Sequence, residues 1–301
     1  SPWFLRPEGF DAELGRLVGP SDYVAHLGAN SGGANGVYWL EILGEADGGV
    51  LARNIATKSK RGVGLFERVI ESDLLYPLVR WGDVARWHAV PSAYLLLAQD
   101  VVGRTGIDEG LMRRRYPKTH AYLKGHERLL TGRAAYRRYQ GGRAFYSMYN
   151  VGGYTVAPIK VVWRRMDRRI NAAVLEAVDD PILGAKPAIP QETCVLIAAE
   201  SSVEAHYLCA VLNSSTVGFL VAAHSVQGGK GFGTPSILDF VKLRRFDAAE
   251  PLHVELAACS RRAHAMAARG QEPVEVEQTI DRLAGQLWGL RGSELEAIRL
   301  T

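Results

Sequence analysis

The apolar residues of this chain change their period along its length, and that change limits the fold more than any other feature. Up to about residue 110 they come in short runs bounded by turn signals: Tyr23–Leu27, Val37–Leu43, Val50–Ile55 after the Asp47-Gly48-Gly49 turn, and Tyr94–Ala98. The middle is mixed. Pro117 opens a helical stretch on which Leu123, Leu130 and Ala134 share a face, although Gly125 and Gly132 weaken it. Strand-like pieces follow at Phe145–Tyr149, Ile159–Arg164 and Val195–Ala199, then a helix over Val203–Leu212 ending near Asn213. From Ala248 onward the period is helical, in three pieces split near Gly270–Pro273 and Gly292. This order predicts a mixed α/β (α+β) fold of sheet and short helices over residues 1–247, followed by a helical C-terminal subdomain over residues 248–301. No segment repeats, and no apolar run approaches the ~18 residues of a membrane span, which excludes solenoids, coiled coils and membrane bundles.

Charge is distributed as unevenly as hydrophobicity. Residues 1–103 carry 9 basic and 12 acidic side chains, residues 104–169 carry 16 and 4, and residues 170–301 carry 11 and 16. A central band of net +12 therefore sits inside a chain of net +4. Arginine supplies 28 of the 36 cations, and a guanidinium forks onto phosphates and guanine edges as an ammonium cannot. The same band holds 7 of the 12 tyrosines: Tyr116, Tyr122, Tyr136, Tyr139, Tyr146, Tyr149 and Tyr154. Arginine interleaved with tyrosine suits a surface that neutralises phosphates and packs on sugars or bases. The plainer alternative is a solvated helical face whose tyrosines edge the core. For the band as a whole the charge favours a polyanionic partner. Three unclustered cysteines, Cys194, Cys209 and Cys259, fit a reducing, cytoplasmic setting and neither a disulfide framework nor a zinc site. The start at Ser1, with no methionine or signal pattern, is read as the start of a fragment.

The sequence offers little catalytic chemistry. It contains no Cys-x-x-Cys, His-Glu-x-x-His or Gly-x-Ser-x-Gly. None of its 8 lysines has an acid two residues before it, so the Asp/Glu-x-Lys half of a common nuclease site is missing. His120 and His126 are badly spaced for one helical face, and Asp179-Asp180-Pro181 reads as a turn with solvated acids before it reads as a metal site. Two glycine-rich loops, Gly28–Gly36 and Gly228–Gly233, lack the lysine–serine pair of a P-loop, and each is equally a turn or a ligand-contacting loop.

Several stretches in order resemble a known family. They are His26-Leu-Gly-Ala-Asn-Ser-Gly-Gly-Ala-Asn-Gly-Val-Tyr-Trp-Leu40, Glu71-Ser-Asp-Leu-Leu-Tyr-Pro-Leu-Val-Arg-Trp-Gly-Asp-Val-Ala-Arg-Trp87 and Tyr116-Pro-Lys-Thr-His-Ala-Tyr-Leu-Lys124. After Arg133 come Phe145-Tyr-Ser-Met-Tyr149, Pro158-Ile-Lys-Val-Val162, Leu212-Asn-Ser214 and Ile280-Asp-Arg-Leu-Ala-Gly-Gln-Leu-Trp-Gly-Leu290. Together they resemble the target-recognition (DNA-specificity) region that follows the catalytic domain of large N6-adenine DNA methyltransferases in restriction–modification and phage-defence systems. The family's catalytic Asn/Asp-Pro-Pro-Tyr/Phe tetrapeptide and its cofactor-binding glycine motif are not in this sequence.

The resemblance implies a reader and not a writer: no catalytic residue, metal or cofactor in this chain, with S-adenosylmethionine belonging to the missing catalytic domain. The implied partners are double-stranded DNA and a methyltransferase catalytic domain or subunit, in cis or in trans, with no membrane. Read with the basic band, the candidate DNA-binding residues are Arg113, Arg114, Arg115, Lys118, Arg137, Arg138, Arg143, Tyr146, Lys160, Arg164 and Arg165, joined by Lys230 in the second glycine-rich loop. Arg143 and Arg164 are the candidate base readers, because strand ends flanked by Tyr146 and Trp163 would hold a guanidinium rigidly. Two other readings stay open: a nuclease or other nucleic-acid-modifying enzyme with scattered acids, and an interaction subunit docking through its acidic helical tail.

Overall fold

Two sheets carry the architecture, each formed where short apolar runs meet turn residues. The computed structural model describes residues 15–58, 62–224 and 233–300. The first sheet has six strands in the spatial order Ile189–Pro190, Leu75–Val79, Ala93–Leu96, Trp39–Ala46, Gly49–Asn54, Glu67–Ile70. All its pairings are antiparallel except that of Ile189–Pro190 with Leu75–Val79. Gly48 and Gly49 have φ of 69° and 156°, and a Cβ on Gly49 would lie 2.0 Å from the Ile70 carbonyl oxygen. Only glycine fits there. The second sheet is wholly antiparallel, in the order His26–Leu27, Cys194–Ala198, Lys160–Arg164, Ala172–Leu175.

Two sequence expectations shift. Asn35–Tyr38 forms a helical turn before the strand opens at Trp39, with the Val37 carbonyl accepting from the Tyr122 hydroxyl at 2.6 Å. Phe145–Tyr149 does not join a sheet, because side chains take up its backbone groups instead. Arg133 donates to the carbonyls of Phe145 and Ser147, and Gln99 both donates to the Tyr146 carbonyl and accepts from the Met148 amide.

Helices cover both sheets. A helix over Glu109–Arg115, capped by the Asp108 carboxylate on the Leu111 amide at 2.9 Å, precedes the helical stretch expected from Pro117. That stretch breaks into Pro117–Lys124, Glu127–Thr131 and Ala134–Tyr139, with Gly125 and Gly132 at the breaks. Glu71 caps Pro117–Lys124 from outside, accepting from the amides of Lys118 at 2.9 Å and Thr119 at 2.7 Å. The buried helix Ser202–Asn213 lies over the second sheet. Pro251–Ala267, Val274–Leu287 and Gly292–Arg299 reproduce the three expected C-terminal pieces. They have no core of their own: Leu256, Ala263, Ile280 and Leu283 belong to the same apolar cluster as Val161, Val195, Leu208 and Leu212. A second cluster joins the six-stranded sheet to Met112, Leu123, Leu130 and Tyr146. The C-terminal helices thus share the apolar cluster of the second sheet, while the six-stranded sheet has a cluster of its own.

Polar ties hold the helices of the second core to its sheet. The Asn213 amide donates to the Ala172 carbonyl and accepts from the Ala172 amide, both at 2.8 Å. Arg86 donates to the Asn213 carbonyl at 2.7 Å and pairs with Glu277, which also accepts from the Trp87 indole at 2.6 Å. Asp281 accepts from the Ser215 amide at 2.7 Å. No single helix among the described residues is long and apolar enough to cross a membrane.

Between these ties lie two buried imidazoles. His264 accepts from the Val174 amide at 2.9 Å through Nε2, so its Nδ1 carries the proton that reaches the Ser260 carbonyl at 2.8 Å. His206, whose ring lies edge-on to it at 4.9 Å, is lowered to about 3 by burial and by the neighbouring imidazole. A base held below its unfolded value favours a neutral folded state, so stability is full above the unfolded pKa near 6.5 and falls as pH drops toward 3. Thermal unfolding should therefore show Tm decreasing steadily from pH 7 to pH 4. His206→Asn should flatten that decrease, and an unchanged slope in the variant would show that His206 does not set it.

Candidate nucleic-acid interface

The candidate interface is organised from beneath by a buried cation. Arg133, 1% exposed, donates to the carbonyls of Leu130 and Ser31 at 2.8 Å, Phe145 at 2.9 Å and Ser147 at 3.0 Å. One guanidinium thereby joins the helical string, the first glycine-rich loop and the segment before the second sheet. Its planar fork of five donors is the only side chain that can do this. Gly32, at φ 69°, lies against its aliphatic part, where a Cβ would come within 3.3 Å of Arg133 Cδ.

The glycine-rich loop is not a hairpin. Asn30 exchanges backbone hydrogen bonds with Tyr149, and Ala29 donates to the Pro190 carbonyl at 2.9 Å. A Cβ on Gly28 would lie 2.3 Å from the Gln191 carbonyl oxygen. The loop is a close backbone crossing on which the turns around residues 149–155 and 190–193 converge. Of the second glycine-rich loop, residues 228–232, Lys230 among them, lie outside the described residues.

The nominated cations fall into separate groups. Arg114 and Arg115 are exposed at the end of Glu109–Arg115, while Arg113 beside them is paired with Glu109 at 2.9 Å. Arg137 and Arg138 are exposed on Ala134–Tyr139, with Arg138 lying 5.2 Å over the Tyr139 ring. Arg143 is exposed and donates to the Gly103 carbonyl at 3.3 Å. Lys118 is half-buried, donating to the Asp47 carbonyl at the tip of the Asp47-Gly48 turn. Arg164 and Arg165 stand at the end of a strand of the other sheet. Arg164 lies 4.2 Å over the Trp81 ring, donates to the Trp81 carbonyl at 3.1 Å and pairs with Asp167 at 3.6 Å. The guanidinium is thus held against Trp81, where the sequence pointed to Trp163.

Two nominated residues are corrected. Lys160 is 0% exposed: its ammonium donates to the carbonyls of Ala157 and Ala188, and burial lowers it to about 7. Tyr146 is also 0% exposed, its hydroxyl donating to the Ile107 carbonyl at 2.6 Å. Both side chains lie inside the protein and spend their donors on backbone carbonyls. Most tyrosines of the band behave like Tyr146. Tyr116 and Tyr122 are buried, and the Tyr136 hydroxyl donates to the Arg143 carbonyl at 2.6 Å. Tyr139 is the one left fully open, at 59% exposure.

The sequence reading passed over a neighbouring cluster. Arg104, at the tip of the hairpin Gln99–Asp100 and Thr105–Gly106, lies beside the stacked rings of His26 and Tyr154, whose centroids are 3.7 Å apart. The signal was present in Val101-Val-Gly-Arg-Thr-Gly106, a turn with an arginine at its end. Carboxylates also temper the band: Asp100, Asp108, Glu109 and Glu127 line a cleft rimmed by Arg143 and Tyr136. Among the described residues no three His, Cys, Asp or Glu side chains converge as a metal-holding group.

With the arrangement established, the chain is a mixed α/β protein whose fold, over 94% of its length, is similar to part of a restriction-modification enzyme. One similar solved structure is that of the Type IIL restriction-modification enzyme MmeI in complex with DNA, at a TM-score of 0.55 and 10% identity. The match covers 94% of this chain and 36% of that one, so the chain spans about a third of the neighbour's length. No protein-family model matches the sequence, and no curated protein does.

If Arg133 is the node described, Arg133→Ala should leave several buried carbonyls without donors and cost about 3–5 kcal/mol in chemical denaturation. Arg133→Lys should recover only part, since one ammonium cannot span three segments. Loss below 1 kcal/mol in Arg133→Ala would contradict the assignment.

Proposed function

We propose that this chain is the DNA-recognition region of a restriction–modification enzyme of the N6-adenine methyltransferase kind, reading duplex DNA for a catalytic domain supplied in cis or in trans. One observation carries the reading: nearly the whole chain follows one part of an enzyme solved on DNA, at an identity of only 10%. The exposed arginines support it. Arg137, Arg138 and Arg143 are open to solvent on segments beside the Arg133 node, and Arg114 and Arg115 are open at the end of Glu109–Arg115.

The division of labour is physically sound. An enzyme acting on an extruded base needs a module that grips the duplex and reads base edges, and such a module requires guanidinium and amide donors on rigid supports without a nucleophile. Phosphate contacts set affinity and register, and base contacts set specificity. S-adenosylmethionine and methyl transfer belong in this reading to the domain carrying the Pro-Pro tetrapeptide, which this sequence lacks.

Fluorescence anisotropy with duplex DNA across a salt series tests the proposal. Each phosphate neutralised contributes roughly 0.9 to the slope of log affinity against log salt, so Arg114→Ala with Arg115→Ala should flatten it by about 2. Lys160→Met, buried beneath the surface, should leave the slope unchanged. Calorimetric titration with S-adenosylmethionine should be silent for the chain alone. Absence of duplex binding at low salt, or a slope indifferent to the arginine pair, would refute the assignment of the interface.

A further inference from the structure

The hairpin Gln99–Asp100 and Thr105–Gly106 projects a four-residue tip, Val101–Arg104, whose construction goes beyond closing a turn. Its base is bolted down. Gly106 donates to the Ser147 hydroxyl at 2.9 Å, and a Cβ there would crowd Ala144, Tyr146 and Ser147 at 2.9 Å. The tip is braced from both sides. The Asp100 carboxylate accepts from the Val102 amide at 3.0 Å, and Arg143 donates to the Gly103 carbonyl. At its end Val102 is 90% exposed.

Arg104 occupies the left-handed position of this turn, at φ 53°, where glycine or asparagine is the usual residue. A guanidinium is kept there against that preference, and backbone strain of this kind concentrates at functional positions. Its Nε would lie 3.5 Å from a Cβ on Gly152, which itself would touch the Tyr154 ring at 2.8 Å. Glycine at 152 thus makes room for the Tyr154 ring, which stacks on His26 with the two planes 4° from parallel, and Arg104 lies alongside in ordinary contact distance. His26 is lowered by burial and then by the Arg104 charge, which places the guanidinium close to the imidazole. No carboxylate among the described residues pairs with Arg104, whereas Arg113, Lys124 and Arg164 all have acidic partners.

We propose that the Val101–Arg104 tip is a groove-entering finger and that Arg104, held beside the Tyr154–His26 plate, reads a guanine in the major groove. This rests on the DNA-recognition reading above and names a specificity residue within it. The major groove admits a two-stranded ribbon, and a guanidinium without an acidic partner suits bidentate donation to guanine O6 and N7. Exposed Val102 offers apolar contact to a neighbouring thymine methyl.

The test is selection of bound duplexes from a pool with a randomised core, using the 301-residue chain and its Arg104→Gly, Arg104→Lys and Arg104→Ala variants. Glycine suits the left-handed backbone, so Arg104→Gly removes the side chain without straining the turn. The wild type should enrich a motif containing a fixed guanine. Arg104→Gly and Arg104→Ala should lose enrichment at that position by about 10-fold or more while holding the other positions. Their affinity for random duplex should stay within about twofold, and Arg104→Lys should recover part of the preference. The same motif at undiminished strength in Arg104→Gly would overturn the proposal. So would a uniform loss across all sequences with a salt slope flattened by about 1, which marks a phosphate contact. A wild type that binds and enriches no duplex would overturn the recognition reading itself, and that failure shows in the wild-type arm alone.

Discussion

A single desolvated guanidinium holds the candidate interface together. Arg133 satisfies four carbonyls from three separate segments, and no carboxylate among the described residues takes part. A buried arginine in this role is costly unless every donor direction is used, and here carbonyl dipoles take the place of a counter-ion. The consequence is geometric. The glycine-rich loop, the segment Phe145–Tyr149 and the helix Ala134–Tyr139 are fixed relative to one another without a shared sheet. The surface arginines of that helix, the hairpin tip and the Tyr139–Tyr149 contact are therefore presented from one rigid support.

The fold's elements were legible where periodicity and punctuation agreed. The three C-terminal helices and the strand Lys160–Arg164 fall within a residue or a few of their sequence positions. What could not be read was partnership. Helical periodicity gives the apolar face of Pro251–Ala267 but not that this face packs on Ser202–Asn213. Phe145–Tyr149 looks like a strand because its apolar residues are buried, yet its backbone is satisfied by Arg133 and Gln99. The stretches that carry the family resemblance act mostly as scaffold. Glu71 caps a helix, Arg86 and Trp87 dock the C-terminal helices through Glu277, and Asn213 splices a helix end to a strand.

The site was legible as a charge band but not residue by residue. Net charge counts side chains without knowing their surroundings, so Lys160 and Arg133 entered the sum although both lie inside. Glu109, Glu127 and Asp167 further neutralise Arg113, Lys124 and Arg164 locally. The effective field comes from fewer groups, concentrated at Arg114, Arg115, Arg137, Arg138, Arg143 and Arg104. Tyrosines misled for a related reason: a ring that is apolar over most of its area and polar at its tip fits a core edge whenever a carbonyl lies within reach. Tyr122, Tyr136 and Tyr146 each found one.

In the proposed function, duplex DNA meets the face built on Arg133 and leaves the helical C-terminal section uncovered. Hydrogen–deuterium exchange of the 301-residue chain with and without duplex DNA tests this most directly, since amides under the DNA exchange more slowly. The account predicts slowing in peptides spanning residues 100–118 and 134–155, with residues 251–299 unchanged. Slowing confined to residues 251–299, or none at all under conditions where the duplex is bound, would contradict it.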